Sequence, residues 1–254
     1  MITWMVTGLH DPRWLPNILD NYERQTHPQK GLIIIENGSG VGATHPESGD
    51  RVSVILRSEP GPAQPLNVAL QWLRAHAKGD WFAKCDSDDY YGPGYLSSLQ
   101  PAIKSGADYC GRASLYIRTT ENRLWYVEGE PNGHLFHGPT LAGRVSSALD
   151  FPVVEDWGED EGWCKAMYRD GRMPYTVPPE HFCYQRWANY EHTWPCTDYE
   201  IRTSWNAHFL DLGPFDPEIV NDTKPRPSGI HLGVAELTPE TFMPFRILQQ
   251  RIIQ

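Results

Sequence analysis

The hydrophobic residues in the first half of the chain form two kinds of pattern that alternate along the sequence. One is a short continuous apolar run, typical of a buried strand, and the other is an apolar repeat typical of a helix. Gly31–Glu36 contains the continuous apolar run Leu-Ile-Ile-Ile, whereas Pro12–Gln25 repeats its apolar residues every three or four positions. Continuous apolar strands are buried on both faces, and helical crossovers between strands give parallel pairing. The pattern therefore predicts an α/β fold with a doubly wound, mainly parallel sheet flanked by helices.

The same reasoning assigns elements along the rest of the chain. The predicted strands are Ile2–Thr7, Gly31–Glu36, Arg51–Leu56, Asp80–Asp86, Asp108–Arg118, Arg123–Glu128 and His181–Trp187. The predicted helices are Pro12–Gln25, Asn67–Ala77, Pro93–Ser105, Thr140–Leu149, Glu159–Arg169 and a short one in Phe242–Ile253. We expect Arg123–Glu128 to form a hairpin with the strand around Tyr116. From about Gly213 the chain is rich in Pro and has little periodicity, which predicts an irregular C-terminal extension.

Composition and charge argue against several classes of protein. With 22 Lys and Arg against 32 Asp and Glu, the net charge of −10 argues against a protein that mainly coats nucleic acid. No apolar run approaches the roughly 20 residues of a membrane span, and no basic and apolar leader is visible. The 5 cysteines are odd in number and scattered, so we expect no disulfide framework and predict a cytoplasmic protein.

The clearest chemical feature is the acidic cluster Asp86-Ser87-Asp88-Asp89, which directly follows an apolar strand. Three neighbouring carboxylates repel one another, and a bound cation relieves that repulsion. Oxygen ligands of this type suit Mg²⁺ or Mn²⁺, and Mg²⁺ usually binds one or two carboxylates together with substrate phosphates. The alternative is a solvated acidic turn. The acidic cluster lies at the carboxyl end of a predicted strand, where open α/β sheets bind ligands. This position favours a metal site over a solvated turn.

A second acidic cluster, Glu159-Asp160-Glu161, opens a predicted helix. Acidic residues in a first helical turn interact favourably with the helix dipole, so a purely structural role is the alternative. The functional interpretation is a general base that takes a proton from an attacking hydroxyl. Glu155 and Asp156 are competing candidates for the base, and the local sequence does not separate them.

The order of these features resembles family 2 of the inverting glycosyltransferases, which have the GT-A fold, a Rossmann-like α/β fold. The segments that carry the resemblance are WMVTGLHDPRWLPNILDNYERQTHP, LIIIENGSG, LNVALQWLRAHAKGDWFAKCDSDDYYGPGYL, WGEDEGWCKAMYRDGR and HFCYQRW. They span about residues 2 to 195 in the family's order, which is more specific than any single motif. The chain departs from the family at His10-Asp11-Pro12, in place of an aromatic–Asn pair, and at Glu36, in place of the commoner Asp.

The resemblance implies a division of the chain. Residues 1–197 would form the GT-A domain, with a nucleotide-sugar-binding half at 1–118 and an acceptor and catalytic half at 119–197. Residues 198–254 would form the C-terminal extension.

The resemblance also implies roles for individual residues. The implied donor-binding residues are Thr7, Glu36, Asn67 and Asp86. The implied ligands of Mn²⁺ or Mg²⁺ are Asp86, Asp88 and Asp89, with Asp88 as the main one. Beside the resemblance, Lys84 and Arg186 are candidate cations for the donor diphosphate, with a plain surface charge as the alternative, and His192 is a candidate metal ligand, with an ordinary polar role as the alternative. Asp160, with Glu159 beside it, would deprotonate the acceptor hydroxyl, which would displace the diphosphate with inversion in one step. The expected donor is a UDP-sugar. A glycan, protein, lipid or small molecule could be the acceptor, and the acidic balance disfavours nucleic acid.

Two other functions stay open at this point. A sugar nucleotidyltransferase would share the sheet and the carboxylates, but it needs a glycine-rich basic loop after the first strand, which Gly8–Arg13 does not supply. A non-catalytic carbohydrate- or nucleotide-binding module would not need Asp88 or Asp160. Aromatic rings also pack on sugars, although tryptophans more often pack in the core or at its rim. The candidates are Trp125, Trp157, Trp163, Trp187 and Trp194.

Overall fold

The computed structural model describes residues 1–36, 53–57, 64–129, 133–152, 158–187, 196–199, 201 and 209–223. Their strands form two sheets, and helices flank them. Within these ranges, no helix is both long and apolar enough to cross a membrane.

A seven-stranded sheet forms the centre of the fold. In spatial order its strands are β10 (Pro174–Thr176), β6 (Tyr109–Gly111), β9 (Ala142–Arg144), β4 (Trp81–Cys85), β1 (Thr3–Leu9), β2 (Lys30–Glu36) and β3 (Ser53–Arg57). Strands β4, β1, β2 and β3 run parallel to one another, and β9 runs antiparallel between β4 and β6. The predicted mainly parallel sheet is confirmed.

A five-stranded sheet lies beside the acidic cluster. In spatial order its strands are β12 (Phe209–Pro214), β8 (Arg123–Val127), β7 (Leu115–Arg118), β11 (Phe182–Gln185) and β5 (Tyr90–Tyr91). Strands β7 and β8 pair antiparallel with Tyr116 opposite Tyr126, which confirms the predicted hairpin.

The described helices connect and cover these strands. They are α1 (Leu15–Glu23), α2 (Gln64–His76), α3 (Gln100–Ser105), α4 (Glu159–Arg169) and α5 (Pro217–Asn221), with 3-10 turns at Pro12–Trp14, Ser97–Leu99 and Gly138–Thr140. Alternate residues of β2 pack on opposite faces of the sheet: Ile34 lies in a cluster with Ile18 of α1, and Ile33 and Ile35 lie in a cluster with Leu70 of α2. Burial on both faces explains the continuous apolar run in the sequence.

The strand predicted over Asp108–Arg118 is wrong as a single element. It is divided into β6 and β7, which belong to different sheets. Between them the backbone N–H of the buried Arg112 donates to the Thr140 hydroxyl at 2.9 Å. The chain leaves the central sheet here and continues in the second sheet.

The helix predicted over Thr140–Leu149 is also wrong, because this segment contains the strand β9. Gly143 is paired with both Phe82 of β4 and Tyr109 of β6. Pairing on both edges satisfies the backbone groups of the segment, so the apolar spacing that indicated a helix does not decide its structure.

The helix predicted over Pro93–Ser105 is shorter in the structure. A 3-10 turn at Ser97–Leu99 leads directly into α3. Pro101 occupies the first turn of α3, where its missing N–H costs no intrahelical hydrogen bond, and Gly106 ends the helix with φ of 81°.

Part of the predicted C-terminal extension contributes to the fold. β12 pairs antiparallel with β8, and Arg123 of β8 forms ion pairs with Asp211 and Asp198. The division of the chain at residue 197 stays a prediction, and residues 224–254, with the predicted helix at Phe242–Ile253, lie outside the described residues.

Candidate active site

The acidic cluster lies at the carboxyl end of the central sheet, because it directly follows strand β4. The strand ends at Cys85, and the turn that follows carries Asp86, Ser87, Asp88 and Asp89 before β5. Asp86 and Asp88 are partly exposed, whereas Asp89 is buried. Two of the three carboxylates are therefore accessible at the sheet edge where open α/β folds bind ligands.

Lys84 joins this acidic turn to the first turn of α4. Its Nζ lies 3.1 Å from Asp86 Oδ1 and 3.1 Å from Asp160 Oδ2. Burial lowers the pKa of Lys84, but the Asp160 and Asp86 carboxylates more than compensate and raise it well above its ordinary value. Three residues predicted for the site, two of them separated by 76 positions, thus form one ion-pair network.

Asp160 lies in an environment that shifts its protonation. Burial raises the pKa of Asp160 to about 6, the Lys84 ammonium opposes that rise, and the Glu159 and Asp86 carboxylates add to it. Its Oδ1 is buried and has no hydrogen-bond partner among the described residues. A carboxylate whose pKa is raised toward neutral pH in this way is a candidate to accept a proton.

Gly138 makes room for Asp160, a role that nothing in the sequence indicates. A Cβ at position 138 would lie 1.8 Å from Asp160 Oδ2. Tyr91 connects the same turn to the acidic cluster, since its hydroxyl accepts from the Asp86 N–H at 2.7 Å and donates to the Pro139 carbonyl at 3.0 Å. The turn at Gly138–Thr140 therefore lies against Asp160 and is linked to Asp86 through Tyr91.

Asp89 lies in a different environment from its neighbours. Its side chain is only 1% exposed, accepts from the Gln185 N–H at 2.9 Å, and pairs with the buried Arg186 guanidinium at 3.4 Å. Burial and the Asp88 carboxylate raise the pKa of Asp89, and Arg186 opposes that rise. This geometry gives Asp89 and Arg186 structural contacts with each other, and their predicted metal and donor contacts stay predictions.

The predicted donor-binding residues differ in their local environments. Asn67 donates to and accepts from the backbone of Phe151 at 2.9 and 2.8 Å, which gives its amide a structural role. Thr7 is buried inside β1, and its Oγ1 has no hydrogen-bond partner among the described residues. Glu36 ends β2 beside Leu9, the last residue of β1.

Several predicted residues lie outside the described part of the chain. These are His192, Glu155, Asp156, Trp157 and Trp194. Of the remaining candidate tryptophans, Trp125 and Trp163 are buried in the core, and the partly exposed Trp187 donates to the Asp88 carbonyl at 3.3 Å.

The donor set of the acidic turn fits a divalent cation that also binds a substrate. Asp86 and Asp88 offer carboxylate oxygens at the surface, which is the ligand type of Mg²⁺ and Mn²⁺. Among the described residues, no group of three or more His, Cys, Asp or Glu could hold a metal ion. Two carboxylates alone match a cation whose coordination is completed by phosphates and water.

Comparison with known proteins agrees with this architecture. The sequence profile described as glycosyl transferase family 2 matches residues 9–151, more than half of the chain. The chain belongs to glycosyl transferase family 2. The matched region contains the acidic turn and ends before α4, so the match does not itself assign a role to Asp160.

Solved structures support the fold of this family 2 chain. It is similar to S. aureus TarS 1–349 in complex with UDP-GlcNAc, with a TM-score of 0.58 and 16% identity over 76% of this chain and 60% of that one. The second structure, TarS 1–349, gives a TM-score of 0.56 and 16% identity over 73% of this chain and 60% of that one. The chain thus spans about 60% of the length of these structures. No curated protein matches the sequence.

Proposed function

We propose that this family 2 chain transfers a sugar from a nucleotide-sugar donor to an acceptor hydroxyl by a single inverting displacement. The observation that carries the proposal is the contact of Lys84 with both Asp86 and Asp160. This contact sets the candidate base beside the candidate phosphate-binding turn, as a direct displacement requires. Membership of the family disfavours the sugar nucleotidyltransferase and the non-catalytic module.

In the proposed mechanism Asp160 receives the proton of the acceptor hydroxyl. The Asp160 carboxylate accepts that proton, and Lys84 keeps the carboxylate oriented through its contact with Oδ2. The acceptor oxygen bonds to the anomeric carbon, and the bond to the diphosphate oxygen breaks. Glu159, the first residue of α4, acts through its charge because it raises the pKa of Asp160.

We propose that Asp86 and Asp88 would hold Mn²⁺ or Mg²⁺, with His192 as a further predicted ligand. When bound, the cation would neutralise the negative charge of the diphosphate leaving group. Asp89 would act by fixing the turn through Arg186 and Gln185.

The proposed donor is a UDP-sugar, bound with its nucleoside near Thr7 and Glu36. Support comes from the similar TarS 1–349 structure, which is a complex with UDP-GlcNAc. The proposed compartment is the cytoplasm, which agrees with five buried cysteines that form no disulfide.

A direct assay tests the proposed function. The full chain, incubated with UDP-sugars and Mn²⁺, is expected to release UDP slowly by donor hydrolysis and faster with a suitable acceptor. Chelation should stop the release, and added Mn²⁺ should restore it. UDP release unaffected by excess chelator would contradict the metal role. The absence of both nucleotide binding and turnover with every donor would contradict the function.

The pH dependence of transfer is expected to report the state of Asp160. Below about pH 6 the carboxyl is protonated and cannot act as a base, so kcat/KM should fall about tenfold per pH unit there and level off above. Lys84→Met removes the cation that lowers the pKa of Asp160, so the midpoint of the profile should move to higher pH. The measurement is a pH profile of kcat/KM for both proteins.

Lys165→Met is the matched control for this prediction. It removes the same charge from an exposed position on α4, where Lys165 pairs with Glu161. Its profile should match that of wild type. A midpoint left unchanged by Lys84→Met in a folded protein would contradict the assignment of the base.

A further inference from the structure

Side chains from two different elements hold the backbone of the acidic turn. Asn17 of α1 donates through one amide nitrogen to the Ser87 carbonyl at 2.8 Å and to the Asp89 carbonyl at 3.0 Å. Trp187, just after β11, donates to the Asp88 carbonyl at 3.3 Å. Three successive carbonyl groups therefore each accept a hydrogen bond from a side chain.

These contacts restrict the conformation of Asp88. The Ser87 carbonyl belongs to the peptide plane before Asp88, and the Asp88 carbonyl belongs to the plane after it. Because peptide units are planar, holding the two planes restricts φ and ψ of Asp88 and so the direction of its Cα–Cβ bond, from which the carboxylate extends. Asn17 holds the first of these planes.

Asn17 is one end of a row of amide side chains on α1. Asn21 donates to the Asp89 carbonyl at 2.9 Å and accepts from the Tyr91 N–H at 3.0 Å. Gln25, just beyond the helix, donates to the Gly92 carbonyl at 2.9 Å and accepts from the Leu96 N–H at 3.1 Å. Residues four apart share one face of a helix, so the row lies along the acidic turn. Asn21 and Gln25 are buried, whereas Asn17 is partly exposed.

We propose that Asn17 is a positioning residue for the cation site, acting through the backbone on either side of Asp88. The inference rests on the proposed function, in which Asp88 binds the cation that accompanies the donor diphosphate. Residues that orient a metal ligand commonly change metal affinity or activity by about 10–100-fold when they are lost. Asn17 is well suited to a test because water can replace its amide at the partly exposed position, and Ala is a better helix former than Asn.

The experiment compares Asn17→Ala and Asn17→Leu with wild type. The Leu variant keeps about the size and branching of the side chain but removes the N–H donor, and neither variant adds a charge near the cation site. Binding of Mn²⁺ with UDP is measured by calorimetry, and folding is measured by circular dichroism and thermal unfolding. Both variants should bind Mn²⁺ with UDP about tenfold more weakly than wild type, with little change in the unfolding midpoint.

Two further variants separate the inference from the function on which it rests. Asp20→Ala alters an exposed neighbour on α1, whose ion pair is with Arg24, and should bind like wild type. Asp88→Ala should lose binding. If Asp88→Ala loses binding while either Asn17 variant binds as tightly as wild type, the positioning role is overturned and the proposed function stands. If Asp88→Ala binds as tightly as wild type, the proposed cation site itself fails.

Discussion

Asp160→Asn is expected to slow sugar transfer by about 10²–10⁴-fold and to leave donor binding intact. The amide has nearly the same shape as the carboxylate but cannot accept the proton of the acceptor hydroxyl. Its carbonyl oxygen can still contact Lys84, so the ion-pair network loses charge without losing its packing. The measurement is single-turnover transfer with saturating donor and Mn²⁺, together with calorimetric binding of UDP.

Glu161→Gln is the matched control for this variant. Glu161 is in the same helical turn, but its side chain is 49% exposed and pairs with Lys165. The control should turn over at the wild-type rate. Normal transfer by Asp160→Asn would move the base to Glu159 or Glu161, or to Glu155 or Asp156.

The parts of the fold that local burial determines were predictable from the sequence. A run such as Leu-Ile-Ile-Ile in β2 needs two covered faces, and the two clusters around Ile33 and Ile34 supply them. The position of Asp86 could be predicted for the same reason, because the end of β4 is marked by the change from apolar to acidic residues. The segment at Ala142–Arg144 was not predictable in this way, since its pairing partners in β4 and β6 lie far along the chain.

The candidate site was predictable as a set of residue types but not as an arrangement. Lys84 was expected near a diphosphate, yet its ammonium lies between two carboxylates, one of them from α4. Gly138 carries no functional group, so only its distance to Asp160 reveals its role. Both facts depend on contacts across the fold, which residue spacing does not encode.

Asp88 and Asp89 of the acidic turn show most clearly that the sequence does not predict the environment of each side chain. Asp88 and Asp89 are chemically identical neighbours, and the sequence assigned both to the metal. Their environments differ because Arg186 and Gln185, nearly a hundred residues later, accommodate one of them in the interior. The second sheet therefore buries Asp89 in an ion pair and leaves Asp88 partly exposed.

We expect two neighbouring substitutions to impair different properties: Asp89→Ala should lower stability, and Asp88→Ala should abolish binding of Mn²⁺ with UDP. Asp89→Ala removes the carboxylate that pairs with the buried Arg186, and breaking a buried pair by removing one partner costs about 3–5 kcal/mol of unfolding free energy. Asp88→Ala removes a partly exposed side chain, so stability should change little, while binding of Mn²⁺ with UDP and sugar transfer are lost. Urea denaturation and calorimetry on both variants give the two measurements.

Asp88→Ala and Asp89→Ala serve as controls for each other, because each is measured for both stability and binding. Asp89→Asn keeps an acceptor for the Gln185 N–H and should be less destabilised than Asp89→Ala, since only the charge is lost. If Asp89→Ala were as stable as wild type but unable to bind Mn²⁺ with UDP, Asp89 would be a metal ligand after all. A loss of stability in Asp88→Ala as large as in Asp89→Ala would show that the turn acts as one structural unit, with no separate carboxylate reserved for the cation.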